Sequence, residues 1–256
     1  MVSSSWWSAR RHVPHATGRV VCVPYAGGGA SVYRAWHGVC GPTVEVCPVE
    51  LPGRGTRFGE RPYRRLAPLV HDLADAMEPL LDLPYVLYGH SMGGLVVFEL
   101  ARLLQRRRWP APRHVVVGAS PDPCRAREER WHDATDEGLR ARLRQLGGTP
   151  AELLDDDDLM TLVMPVIRAD FEVVETYAYA PDPTLVAPLT VLGGLRDRMV
   201  PPAHLDGWRA HARQVRLELL PEAHFFVDDL APRVASLLAP SPGGWPPPPT
   251  TSGGTR

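Results

Sequence analysis

Short apolar runs alternate with longer segments of helical periodicity along most of the chain. A strand of a parallel sheet is covered on both faces, so its sequence is a continuous apolar run rather than an alternating pattern. We therefore predict strands at Arg19–Tyr25, Thr43–Leu51, Pro84–Gly89, His114–Ser120, Pro188–Gly194 and Val215–Leu220.

Two helices are predicted between these runs. From Leu66 to Leu81 the apolar residues recur at intervals of three and four, the spacing of one buried helical stripe. The segment Met92–Arg108 is apolar on almost all sides, which is typical of a largely buried helix. Alternating strands and helices indicate an α/β protein with a mostly parallel, doubly wound sheet.

One long segment interrupts this alternation. Between Arg125 and Tyr179 there are several helical patterns and no convincing strand, so we predict a helical insertion at about residues 121–180. Insertions of this size commonly form lids or binding elements. Apolar residues of the insertion are candidates for covering a substrate chamber, although packing between helices explains most of them more simply: Met164, Ile167 and Phe171.

The two ends differ in composition from the interior. Residues 1–18 are polar and irregular, and we expect a loose arm there. Residues 240–256 are rich in proline and glycine, the composition of a disordered segment. Residues 19–239 would then form a single α/β domain.

Composition and charge exclude several classes of function. The formal net charge of −1 provides no overall field to attract nucleic acid or an anionic membrane. All 28 basic residues are arginine, whereas a Walker A loop, a pyridoxal Schiff base or a catalytic lysine needs an amine. The N-terminus lacks the apolar core of a secretory signal, and no segment reaches the roughly 18 apolar residues of a membrane span. We expect a soluble cytoplasmic protein.

The four cysteines give no sign of redox or metal chemistry. Cys22, Cys40, Cys47 and Cys124 form no C-x-x-C pair and show no metal-ligand spacing. Two of them lie in apolar runs, where a free cysteine behaves as a small buried hydrophobe. We expect neither a metal nor a cofactor.

The stretch Gly89–Gly93, with the sequence GHSMG, matches G-x-S-x-G between a predicted strand and a predicted helix. In that context the pattern forms a nucleophile elbow, a sharp turn that raises the serine oxygen above the sheet. The helix dipole and the free amides at the helix N-terminus favour negative charge there. Ser91 is therefore the candidate nucleophile.

A serine nucleophile needs an imidazole base oriented by a carboxylate. In this architecture the chain order is serine, acid, histidine. His224 lies between the last predicted strand and the final helix, from where it can reach the strand ends. His204 and His211 fall in a helical stretch, and we assign them to the surface.

Two carboxylates compete for the role of the acid. Asp197 follows a strand through a glycine pair, and Asp122 follows the preceding strand. Either can serve an imidazole in such a sheet; we favour Asp197. A third carboxylate, Asp182, belongs to a turn and is set aside.

Two backbone amides are candidates for an oxyanion hole. One is the N–H of Met92, directly after the nucleophile. The other is the N–H of Ala26 in the glycine-rich loop PYAGGGAS. The same loop fails the dinucleotide pattern G-x-G-x-x-G, because Gly27 and Gly29 are followed by Val32.

Several stretches, in order, resemble a type II thioesterase of polyketide or nonribosomal peptide biosynthesis: VPYAGGGASVYRAW, ELPGRGTRFGE, YGHSMGG, LGGTPAELL, LMTLVMPVIRADFEVVETY, LGGLRDRMV and HFF. The resemblance runs from about Val20 to Leu238. It implies a discrete α/β-hydrolase that releases misprimed or stalled acyl groups from the phosphopantetheine thiol of an acyl or peptidyl carrier protein.

The resemblance also implies roles for individual residues. Ser91, His224 and Asp197 match the nucleophile, base and acid of the family, whereas Asp122 would be the acid in related chain-terminating domains. Glu222 and Ala223 precede the histidine where the family commonly has glycine, and alanine adopts positive φ less readily. The alternatives are a chain-releasing thioesterase or cyclase, another carboxylesterase, or an inactive carrier-binding module. We expect a monomer that binds neither nucleic acid nor membrane.

Overall fold

The sheet is parallel throughout. The computed structural model describes residues 5–125 and 128–238, and its six strands lie in the order β2-β1-β3-β4-β5-β6 with every neighbouring pair parallel. The strands are Gly18–Val23 (β1), Val44–Pro48 (β2), Tyr85–His90 (β3), His114–Gly118 (β4), Leu189–Gly194 (β5) and Val215–Leu220 (β6). The six predicted strands are confirmed, with boundaries that differ by a few residues.

Helices cover both faces of the sheet. They are Trp36–Val39 (α1), Leu66–Met77 (α2), Met92–Arg107 (α3), Asp136–Leu146 (α4), Ala151–Asp155 (α5), Asp157–Glu175 (α6) and Ala231–Ser236 (α7). Helices α2 and α3 bury Leu73 and Phe98 in one core, and α1 and α7 bury Trp36 and Val234 in another. The predicted doubly wound arrangement is confirmed. No helix in the described part of the chain has both the length and the apolar character needed to cross a bilayer.

Helix α2 is shorter than its apolar stripe predicted. It ends at Met77 and continues as a 3-10 turn over Glu78–Leu80. The reason is Pro79, which has no backbone N–H to donate to the preceding turn.

The segment between β4 and β5 is helical, as predicted. Helices α4, α5 and α6 share a small core of their own, made of Leu139, Leu143, Leu154, Met160, Met164 and Ile167. The sheet cores lie apart from this cluster. The insertion therefore has a core of its own, and Val173 of α6 also packs in a core of the sheet domain.

The N-terminal segment differs from the loose arm that its polar composition predicted. Trp6 and Trp7 are only 1% and 7% exposed. The indole N–H of Trp7 donates to the carbonyl of Ala76 at 3.0 Å, and the carbonyl of Trp6 accepts from the N–H of Glu50 at 2.9 Å. Burial of these two large aromatic side chains stabilises the segment on the domain, although the residues around them are polar. The predicted tail, residues 240–256, lies outside the described residues.

Candidate active site

Ser91 occupies a strained turn between β3 and α3. Its backbone has φ 52° and ψ −111°, a conformation that non-glycine residues rarely adopt. A Cβ at position 89 would overlap the carbonyl of Gly93, and a Cβ at position 93 would overlap the carbonyl of Val23. Both glycines are therefore required for the close approach of backbone that holds the serine at the strand ends, as the G-x-S-x-G pattern predicted.

Asp197 and His224 form a buried pair at the same edge of the sheet. Asp197 Oδ2 lies 2.8 Å from His224 Nδ1, and its Oδ1 accepts from the backbone N–H groups of Met199 at 2.8 Å and Val200 at 2.9 Å. Burial acts to raise the pKa of this carboxyl, but the hydrogen bond and charge of His224, helped by the two amides, hold the pKa below its usual value. The ionised carboxylate fixes a proton on Nδ1 and leaves Nε2 to act as a base.

The predicted base and nucleophile open into one cavity. Ser91, Met92, His224 and Ala26 line a cavity of about 460 Å³. His224 Nε2 is buried and has no hydrogen-bond partner among the described groups. In apo enzymes the hydrogen bond between nucleophile and base is often long or poorly aligned, and it tightens when substrate binds. The structure thus places Ser91 and His224 on one cavity, with His224 Nε2 bound to no other group of the described chain.

The loop that carries His224 needs no glycine. Ala223 is not among the described residues with positive φ, so its Cβ costs nothing there. The departure from the family pattern at this position is therefore compatible with the observed loop.

His90 supports that loop, and sequence reasoning missed it. Its buried ring contacts the carbonyl oxygen of His224 through Nε2 at 2.7 Å and the hydroxyl of Tyr88 through Nδ1 at 3.1 Å. Burial, followed by the nearby charge of His224, lowers the pKa of His90 to about 3. The ring is neutral, and because a carbonyl only accepts, its one N–H lies on Nε2. The signal was present as the second residue of G-x-S-x-G, which the pattern leaves unspecified.

The glycine-rich loop after β1 forms a tight turn over Tyr25–Gly28. The N–H of Gly28 donates to the carbonyl of Tyr25 at 2.9 Å, and Gly27 has φ 78°, the geometry of a type II turn. Ala26 of this turn and Met92 at the start of α3 both line the cavity. The amide of Met92 belongs to the first turn of the helix, where N–H groups have no intrahelical acceptor.

The inserted helices contribute to the cavity in a different way from the prediction. Phe171 lines it, but Met164 and Ile167 pack inside the core shared by the inserted helices. Leu143 and Leu146 of α4 line the cavity instead. Helical periodicity identifies an apolar face, but it does not show which neighbour that face meets.

The competing acid pairs with a different histidine. Asp122 Oδ1 lies 2.9 Å from His211 Nε2, and His211 is only 5% exposed, among the rings of Phe98, Tyr179 and Trp208. The assignment of His211 to the surface was therefore wrong, because aromatic packing buries the end of its helical stretch. His204, assigned to the surface as well, is half-buried and lines the cavity.

Within residues 5–125 and 128–238, one group of side chains has the chemistry to hold a metal ion. Asp122, Cys124 and His211 each place one ligand atom within 4.8 Å of the others. A structural zinc site normally has four protein ligands, and this group offers three. The remaining cysteines, Cys22, Cys40 and Cys47, are buried free thiols.

The parallel sheet, the strained serine after β3 and the buried carboxylate–imidazole pair after β5 and β6 define an α/β-hydrolase. Within that class the chain belongs to the thioesterase family, because residues 18–241 match the thioesterase domain. It is a hydrolase that acts on thioesters, and the resemblance found in the sequence is confirmed.

Relatives and solved structures agree with this assignment. The chain is 37% identical over 213 residues to gramicidin S biosynthesis protein GrsT of Aneurinibacillus migulanus, with 82% of each chain covered. It is 33% identical over 231 residues to thioesterase PikA5 of Streptomyces venezuelae, covering 89% of this chain and 82% of the relative. The thioesterase RedJ from the prodiginine pathway of Streptomyces coelicolor superimposes with a TM-score of 0.82 at 37% identity, covering 87% of this chain and 91% of RedJ. The type II thioesterase BorB from the borrelidin cluster gives a TM-score of 0.81 at 31% identity, covering 90% of this chain and 97% of BorB.

Proposed function

We propose that this thioesterase releases acyl groups from the phosphopantetheine thiol of an acyl or peptidyl carrier protein and so removes misprimed or stalled units. The observation that carries the proposal is the Asp197–His224 pair, whose free Nε2 shares a cavity with Ser91. Two relatives support the carrier-bound substrate: GrsT is a gramicidin S biosynthesis protein, and BorB is a type II thioesterase from the borrelidin biosynthetic cluster.

The reaction proceeds through an acyl-serine. His224 Nε2 accepts the proton as Ser91 Oγ attacks the thioester carbonyl, and the amides of Ala26 and Met92 stabilise the tetrahedral oxyanion. The C–S bond breaks, and His224 returns the proton to the departing sulfur. A water molecule, deprotonated by the same nitrogen, then attacks the acyl-serine carbonyl. The C–Oγ bond breaks, His224 returns the proton to Ser91 Oγ, and the carboxylic acid is released. Asp197 remains ionised and keeps the imidazole oriented.

The leaving group suits this site. A thiol has a pKa of about 8.5 in the cysteine reference case, so the sulfur leaves with less protonation than an alcohol or amine needs. Leu143, Leu146 and Phe171 provide an apolar wall for the acyl group. In this proposal the helical insertion is a lid over the acyl group.

The proposal includes a monomeric enzyme in the cytoplasm, with the carrier protein as its macromolecular partner. The four free cysteines suit a reducing compartment. Neither nucleic acid nor a membrane takes part in the proposed reaction.

The test is turnover on carrier proteins loaded with acetyl, propionyl and longer acyl groups, compared with matched oxygen esters. We expect hydrolysis of short acyl units on several carriers and covalent labelling of the wild type, but not of Ser91→Ala, by a fluorophosphonate. Release of a single long chain would indicate a chain-terminating enzyme instead. Faster cleavage of oxygen esters would indicate a carboxylesterase, and absence of labelling in the wild type would indicate an inactive binding module.

A further inference from the structure

One buried carboxylate connects three distant parts of the sequence. Asp170 of α6 is only 3% exposed. Its Oδ2 accepts from the backbone N–H of Gly27 at 2.8 Å and from Arg54 Nη1 at 2.6 Å, and its Oδ1 accepts from Arg54 Nη2 at 2.8 Å. The inserted helix therefore holds the glycine-rich loop after β1 directly.

Arg54 binds the same loop. Its Nη1 also donates to the carbonyl of Gly28 at 2.8 Å, so the amide of Gly27 is held by the carboxylate and the carbonyl of Gly28 by the guanidinium. The side chains of Arg54 and Asp170 are 10% and 5% exposed. A buried ion pair adds little net stability because desolvation offsets its attraction. The pair therefore acts mainly through the geometry that it imposes on the loop.

The turn that the pair holds is defined by the orientation of its central peptide group. In type I and type II turns the central peptide group faces opposite ways, and only type II places the third residue at positive φ. The central peptide here joins Ala26 to Gly27, and Gly27 has φ 78°. The hydrogen bond from the N–H of Gly27 to Asp170 stabilises this orientation, and the N–H of Ala26 belongs to the adjoining peptide.

A second contact from the same helix limits movement of the turn. Ile167 lies one helical turn before Asp170 and packs against Gly27, where a Cβ would come within 3.2 Å of Ile167 Cγ1. Helix α6 thus meets the turn through one polar and one apolar side chain.

We propose that Asp170, with Arg54, is a positioning residue for thioester hydrolysis. By fixing the Tyr25–Gly28 turn, it places the N–H of Ala26 to receive the oxyanion. The oxyanion hole is then complete only while α6 is docked on the loop. This inference rests on the role of Ala26 in the proposed function.

The same helix supplies a matched control. Glu172 is also buried and forms ion pairs with Arg64 at 2.7 Å and with Arg65. It anchors α6 to the sheet domain without a hydrogen bond to the Tyr25–Gly28 turn. Substitution of Glu172 therefore weakens only the attachment of α6 to the sheet domain. Substitution of Asp170 weakens that attachment and also removes the hydrogen bond to the Tyr25–Gly28 turn.

The experiment measures kcat, KM and thermal stability for Asp170→Ala and Glu172→Ala, on an acyl-carrier thioester and on a small aryl ester. For Asp170→Ala we expect kcat to fall about 100-fold on both substrates with KM within about threefold, the loss expected from a misplaced oxyanion donor. Glu172→Ala should lower the melting temperature while keeping kcat within about threefold of the wild type.

Two further measurements separate positioning from general damage. A trifluoromethyl ketone that forms a tetrahedral adduct on Ser91 should lose affinity for Asp170→Ala by the same factor as kcat/KM. Asp170→Asn retains one acceptor oxygen and should show an intermediate loss, which also decides the matter if the alanine variant does not fold.

Wild-type kcat in both Asp170 variants, or an equal loss in Glu172→Ala, would overturn the inference. Failure of the wild-type enzyme to cleave the carrier thioester would instead reject the proposed function, and the aryl ester would still report on Asp170.

Discussion

Asp122 and Asp197 follow neighbouring strands of this sheet, and each pairs with a histidine at an almost equal distance. Asp197 and His224 meet at 2.8 Å, and Asp122 and His211 meet at 2.9 Å. In the first pair the carboxylate holds Nδ1, so the outer nitrogen of the ring is free in the cavity. In the second pair the carboxylate contacts Nε2 itself.

The surroundings of the two pairs differ as well. His224 lines the 460 Å³ cavity with Ser91, whereas neither Asp122 nor His211 belongs to the described lining. Aromatic rings surround His211 instead. The distance between a carboxylate and an imidazole therefore does not identify a catalytic pair. The free nitrogen, and the space into which it opens, make the distinction.

The largest expected difference is between the two histidines. His224→Ala should lower kcat by on the order of 10⁵-fold, because the nucleophile loses its base. His211→Ala should keep kcat within about threefold and lower the free energy of unfolding by about 2–3 kcal/mol, because a packed, hydrogen-bonded ring is lost. Thioester turnover and urea unfolding measure the two effects. Comparable loss of kcat in both variants would remove the distinction between the pairs.

The two aspartates should differ by a smaller factor. Asp197→Asn should reduce kcat by about 10⁴-fold, since an amide favours the wrong tautomer of the ring. Asp122→Asn should remain within about threefold of the wild type. The same turnover assay decides between the two carboxylates that the sequence left in competition; a large loss in Asp122→Asn alone would reverse the assignment.

The smallest effect concerns the neutral histidine behind the first pair. His90 has a folded-state pKa of about 3, below the ordinary value of about 6.5, so the unfolded chain binds more protons between these pH values. The stabilising contribution of neutral His90 is complete above pH 6.5 and is lost as the pH falls towards 3. His114, with a pKa lowered to about 4 by burial, acts in the same direction.

Urea unfolding between pH 7 and pH 4 measures this dependence. Asn at position 90 does not titrate and retains an N–H donor, so His90→Asn should reduce the acid-side slope by about one proton. Substitution of the exposed His15 by Asn, which tolerates its φ of 65°, is the matched control. An unchanged slope in His90→Asn would show that His90 is not held neutral by the fold.

The sequence predicted the parts of the molecule that depend on local pattern. Apolar runs located the strands, and glycine spacing located Ser91. Contacts between segments that are distant in the sequence could not be predicted from local pattern. The hydrogen bond from His90 to the loop of His224 spans 134 residues, and the pair of Arg54 with Asp170 spans 116. Periodicity along the chain does not predict contacts between residues so far apart in the sequence. The burial of His211 and the wall formed by Leu143 and Leu146 are missed for the same reason.

The similarity to the thioesterase family begins at residue 18, yet Trp6 and Trp7, which precede it, are buried in the folded unit. A shortened chain cut at the start of that similarity would leave a hollow beside α2 where two indoles belong. The part of the chain that matches the family is therefore shorter than the part that packs as one unit.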